Sequence, residues 1–130
     1  MQFKRNEGFR FVFGEPLEAN FVVLLDGKTE NIEQSRNQCG IIDVSPRGMK
    51  ILTEKDMKQY NNQFVQLEIH FKLDMIEIKA VGEIVWSKQF GQKFQYGICF
   101  TSQSNIDELI VSELKARRKR EIATNRLNRI

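Results

Sequence analysis

Two short segments hold side chains suited to gripping a small planar or phosphorylated molecule. Lys4-Arg5-Asn6-Glu7-Gly8-Phe9-Arg10 puts Arg5 and Arg10 ahead of the first strand-like run, and Asp43-Val44-Ser45-Pro46-Arg47-Gly48 lies between two later runs. An arginine fork donates two parallel N–H bonds to phosphate oxygens or to the O6/N7 edge of guanine, and it can lie flat on a purine face. A carboxylate such as Asp43 accepts from ring N–H donors, and the Ser45 hydroxyl donates or accepts within a tight turn. Gly48 admits positive φ or a close backbone approach, and Arg47 adds a cation to the same loop. Read alone, Asp43 and Ser45 serve equally well to bond the turn they occupy, and Arg5 and Arg10 serve as solvated arm residues.

Catalytic and metal-binding constellations are missing from the sequence. The single histidine, His70, falls on the polar phase of a regular alternation and reads as a surface residue. Cys39 and Cys99 stand far apart, outside any C-x-x-C spacing. No Walker loop, dinucleotide fingerprint or nucleophile elbow occurs. We therefore expect a binding module, not an enzyme, without metal or cofactor. Met1 to Arg10 is polar and charged, with no secretory h-region, and no apolar run is long enough to span a membrane. These features point to a cytoplasmic protein whose two cysteines are small core hydrophobes in a reducing compartment.

The 130 residues suit one domain, 41% apolar and 28% charged, with ten Phe against one Trp and two Tyr. The net charge of +3 conceals an asymmetry. Residues 115–130 carry seven Lys/Arg and one Glu, a balance of +6, so the other 114 residues sum to −3. A uniformly basic nucleic-acid-binding barrel has a different distribution, and nucleic acid is accordingly an unfavoured partner. The basic run 115–120 reads as a solvated helix face.

The elements that must position the two segments are short strands. Residues 1–16 form a polar arm around Phe9, Phe11 and Phe13, an alternation that fits a strand docked on the domain. Phe21–Leu25 belongs to a first strand over 17–25, and Asp26-Gly27 is a turn signal. Residues 28–37 are a short edge strand or loop. Ile41, Ile42 and Val44 form a strand that resumes at Met49–Leu52. Val65, Leu67, Ile69 and Phe71 alternate with Gln66, Glu68, His70 and Lys72. Ile76, Ile78, Ala80, Gly82, Ile84 and Trp86 repeat that phase, which assigns Trp86 to the core. Phe94, Tyr96, Ile98 and Phe100 alternate once more. Six such strands predict a small antiparallel β-barrel over residues 17–102. A C-terminal helix over 104–128 follows, capped by Ser104 or Asn105, with Asp107 and Glu108 at its positive end. Ile106, Leu109, Ile110, Val111 and Leu114 form its apolar stripe.

In these segments the sequence resembles the PilZ family. Asp43, Ser45 and Gly48 match that family's Asp/Asn-x-Ser-x-x-Gly motif. Gly82-Glu83-Ile84-Val85-Trp86 is similar to its Gly-x-x-x-Trp strand, and Tyr96-Gly97-Ile98-Cys99-Phe100 to its closing strand. The N-terminal Arg-x-x-x-Arg motif is altered. Arg10 fits it, but Asn6 stands where the second arginine of the leading pair belongs, and Arg5 lies one residue earlier. The resemblance implies a mainly β, six-stranded antiparallel PilZ-like barrel with a C-terminal helix, in a single-domain form.

It also implies a receptor for the bacterial messenger cyclic di-GMP, bound by Arg5, Asn6, Arg10, Asp43, Ser45 and Gly48. To these we add Arg47 for its place in the loop. The bound state would order the arm against the barrel and change a surface read by an unidentified effector protein. Two other readings stand beside it. One is a degenerate PilZ adaptor that works through protein contacts alone, favoured by Asn6. The other is a single-stranded nucleic-acid barrel, disfavoured by the negative body. The oligomeric state is left open.

Overall fold

The structure is a computed structural model that describes residues 10–26, 28–29, 36–60, 63–101 and 105–128. Strands β1 (Phe11–Leu25), β3 (Asn37–Ser45), β4 (Gly48–Thr53), β5 (Val65–Lys72), β6 (Glu77–Phe90) and β7 (Lys93–Phe100) are joined in the order β1-β3-β4-β7-β6-β5. The pairing of β5 with β1 closes the ring, and every pairing is antiparallel. A two-residue β2 (Lys28–Thr29) extends β1 on one edge, and the helix α1 (Ile106–Asn128) follows the barrel. The expected architecture is therefore the observed one.

Closure depends on β1 serving two partners in succession. Phe11 to Phe21 pair with β3, and Asn20 to Leu25 pair with β5. β1 opens at Phe11, six residues before Leu17, the expected start of the first strand. Phe13 is buried, and its ring centroid lies 5.0 Å from that of Phe11. The register shift between Val12 and Leu17 then carries the chain through Gly14-Glu15-Pro16, where proline removes a ladder donor.

Alternation fills the interior with Phe21, Val23, Ile41, Val44, Met49, Ile51, Leu67, Ile69, Phe71, Ile78, Ala80, Tyr96 and Ile98. Each of the larger aliphatic side chains contributes about 1.5–3 kcal/mol on burial. The Tyr96 hydroxyl donates to the Lys55 carbonyl at 2.9 Å and accepts from the Met57 amide at 3.0 Å. Burial raises its pKa; the Met57 bond opposes that shift.

Helix α1 adds Ile110 and Leu114 to the same core. Its start agrees with the expected cap at Asn105, whose carbonyl accepts from Leu109; Ser104 lies outside the described residues. Polar residues of α1 also hold the β5–β6 turn. Buried Glu113 accepts through Oε1 from the amides of Met75 and Ile76 at 3.0 and 3.1 Å. Arg117 donates to the Leu73 carbonyl at 2.8 Å and covers the Phe13 ring at 5.1 Å. Arg120 pairs with Asp74 at 2.6 Å. The basic run is thus only partly a solvated face: the turn at 73–76 leaves backbone groups that this helix satisfies.

Two further expectations are corrected. His70 is buried, because β5 is flanked there by Asn20 of β1 and Lys79 of β6; its Nε2 lies 2.9 Å from Glu68 Oε1. Cys39 is buried as expected, which pushes its thiol up to about 12, but Cys99 is exposed on the outward phase of β7. No described helix is long and apolar enough to cross a membrane.

Candidate functional site

The site is built on the outer face of β3, β4, β7 and β6, around the tight β3–β4 hairpin. Asp43 and Ser45 lie at the end of β3, Gly48 begins β4, and only Pro46 and Arg47 form the turn. Register places the outward residues in two parallel rows. One row runs Asp43–Lys50–Gly97–Trp86 across four strands, and the next runs Ser45–Gly48–Cys99–Glu83.

Two β-bulges create the first row. Register shifts between Ile41 and Asp43, and again between Ile84 and Trp86. Each adds one unpaired residue, Ile42 or Val85, which reverses the inward–outward phase of the chain that follows. Asp43 therefore faces Lys50, and Trp86 faces Gly97 instead of entering the core. Trp86 is 42% exposed, against the expectation that it would be buried.

Glycine makes the row compact. A Cβ at position 97 would lie 2.1 Å from Trp86 Nε1, so the indole rests directly over the β7 backbone. A Cβ at position 48 would lie 2.1 Å from the Ile98 carbonyl oxygen, so β4 approaches β7 at a distance that only glycine permits. The hairpin is further held by the Ser45 hydroxyl, which donates to the Gly48 carbonyl at 3.3 Å, and by the Phe100 amide, which donates to the Arg47 carbonyl at 2.8 Å.

Charge is concentrated at one end of the row. Asp43 is buried, 4% exposed. Arg10 donates to its Oδ1 at 2.7 Å, and Lys50 Nζ lies 3.6 Å from its Oδ2. A buried carboxylate needs such compensation. Lys50 Nζ also sits 5.9 Å from the centroid of the Trp86 ring. These groups, with Arg47, Val85 and Cys99, line an open groove of roughly 560 Å³. A second groove, roughly 930 Å³, runs between the hairpin and α1 and shares Arg47 and Cys99 with the first.

Arg10, Asp43, Ser45, Arg47 and Gly48, five of the residues expected for the site, thus converge on one groove. Arg5 and Asn6 lie outside the described residues. Lys50 and Trp86 complete the lining and were not expected there. For Lys50 the available signal is its outward phase between inward Met49 and Ile51; for Trp86 it is Gly97, the small residue that lets an indole cross the neighbouring strand. Among the described residues no cluster of His, Cys, Asp and Glu could hold a metal ion.

Comparison with known proteins agrees with this architecture. The PilZ domain model matches residues 23–116, well over half of the chain, and the chain belongs to the PilZ domain family. Among solved structures it is similar to the PilZ domain with c-di-GMP of YcgR from Escherichia coli, at 12% identity and a TM-score of 0.60, covering 94% of this chain and 96% of that one. At that identity the likeness is one of fold. No curated protein matches the chain.

Proposed function

We propose that this PilZ domain is a cytoplasmic, non-enzymatic receptor for cyclic di-GMP, and that its ligand lies in the groove of Asp43, Lys50 and Trp86. The observation that carries the reading is the convergence of Arg10 and Lys50 on one buried carboxylate, in a groove that Arg47 and an exposed indole also line. Cyclic di-GMP combines two phosphates with two guanines. Cations suit the phosphates, the arginine forks also suit guanine O6 and N7, and the indole offers a face for stacking. Asp43 accepts from guanine N–H donors once Arg10 turns from it toward the ligand. Arg5 and Asn6 belong to the arm that would close over the bound nucleotide, and a partner protein would read the closed surface.

Isothermal titration calorimetry with cyclic di-GMP, beside a length-matched single-stranded RNA, tests the reading. Saturable binding of the dinucleotide alone is the expected result, and binding of the RNA alone would replace the reading with that of a nucleic-acid barrel. Absence of binding to either would favour a protein-contact adaptor. Asn6, in the place of a motif arginine, is the residue that supports that second reading.

A further inference from the structure

The family motif leaves Lys50 without a role, yet its ammonium sits in the groove beside both the buried carboxylate and the indole. Its backbone is fixed by ladders on both sides, to Asp43 of β3 and Gly97 of β7. Its ammonium lies 3.6 Å from Asp43 Oδ2 and 5.9 Å from the Trp86 ring centroid, and the side chain remains 35% exposed. Arg10 already compensates Asp43 through a charge-assisted bond at 2.7 Å. At 3.6 Å the Lys50 ammonium is beyond hydrogen-bond distance of that carboxylate. Its N–H donors are therefore available to a ligand, and it stands where an anion entering between Asp43 and Trp86 would pass.

The two kinds of cation divide the chemistry. A guanidinium is a planar fork matched to a guanine edge; an ammonium is a compact point charge matched to phosphate. We infer that Lys50 is the residue of this groove that reads a ligand phosphate, and that its ammonium leaves the Trp86 ring to do so, uncovering the indole for a base. The inference rests on the reading of the groove as a cyclic di-GMP site. An exposed cation–π contact is weak, so a phosphate oxygen competes for the ammonium readily.

The test uses the full chain with Lys50→Met and Lys50→Arg, folding checked by circular dichroism. Calorimetric affinity for cyclic di-GMP is measured between about 50 and 500 mM KCl, a range over which exposed charges become screened. Lys50→Met should bind about tenfold more weakly at low salt, with a shallower loss of affinity as salt rises. Lys50→Arg should restore most of both. Wild-type affinity in Lys50→Met would overturn the inference while leaving the groove a cyclic di-GMP site. Weakened binding with an unchanged salt response and no rescue by arginine would overturn it too, since Lys50 would then only balance Asp43. A wild-type chain that fails to bind cyclic di-GMP at all would overturn the reading of the groove itself.

Discussion

The indole of Trp86 occupies the space that a side chain at Gly97 would need: a Cβ there would lie within 2.1 Å of Nε1. Gly97→Ala should therefore swing the indole off the β7 backbone while the inward core residues on either side, Tyr96 and Ile98, stay packed. Trp86 is the only tryptophan, so its emission reports the change directly. A shifted emission spectrum with an unaltered far-ultraviolet dichroism spectrum is the expected outcome. If cyclic di-GMP uses the indole face, this variant also binds it more weakly.

Asp43 is the common partner of Arg10 and Lys50, and we expect Asp43→Ala to remove charge-assisted bonds to the ligand worth roughly 1.5–3 kcal/mol. The calorimetric affinity for cyclic di-GMP should fall by about ten- to a hundredfold. Unchanged affinity would mean that Asp43 only orders the hairpin end.

Arm variants probe the altered motif. Asn6→Arg would supply a second bidentate fork and should tighten cyclic di-GMP binding by up to ~1–3 kcal/mol. Arg5→Ala should weaken it, and Arg10→Ala should weaken it more, because Arg10 adjoins β1 and already reaches Asp43. Equal affinity for wild type and Arg10→Ala would count for the adaptor reading.

The helix contacts lead to a stability prediction. Glu113→Ala leaves the Met75 and Ile76 amides without their carboxylate acceptor. Hydrogen bonds to charged groups contribute about 1.5–3 kcal/mol, and urea unfolding should show a loss of that order. Truncation after Arg120 keeps Glu113, Arg117 and Arg120, so it should change neither stability nor ligand affinity appreciably. Truncation after Leu114 should cost stability, because Arg117 then no longer reaches the Leu73 carbonyl.

Thiol chemistry separates the two cysteines. Burial holds the Cys39 thiol at about 12, so in the folded protein it stays protonated and unreactive near neutral pH. Cys99 is exposed. Iodoacetamide should label Cys99 alone in native protein and both residues in denaturant, as read by peptide mass spectrometry.

Period-two alternation made the barrel legible, since Leu67, Ile69, Phe71, Ile78, Ala80 and Ile98 all point inward as their phase requires. The same rule failed where a bulge intervened. Alternation carries Trp86 inward after Ile84, and one unpaired residue, Val85, turns it outward. Nothing in a local pattern marks an extra residue whose only signature is a register shift against another strand. His70 departs from its phase for a related reason: the phase is polar, but the residue is buried between Asn20 and Lys79 of the neighbouring strands, which a single strand does not reveal. Asp43, Ser45 and Gly48 could be found because their spacing is local to one hairpin. Lys50 required the register between β3 and β4 to be known.

Synthesis of the chain runs against the order in which the β5–β6 turn is completed. The turn amides of Met75 and Ile76 await a carboxylate 38 and 37 residues downstream, and the Leu73 carbonyl awaits Arg117, 44 residues away. On the ribosome the strands can emerge and pair while this end of the barrel still relies on water for its hydrogen bonds. These bonds can form only after residues 113 and 117 have been made. The last helix therefore acts as a clasp on a nascent barrel, and a chain stalled before residue 113 would expose an unfinished turn to chaperones and proteases.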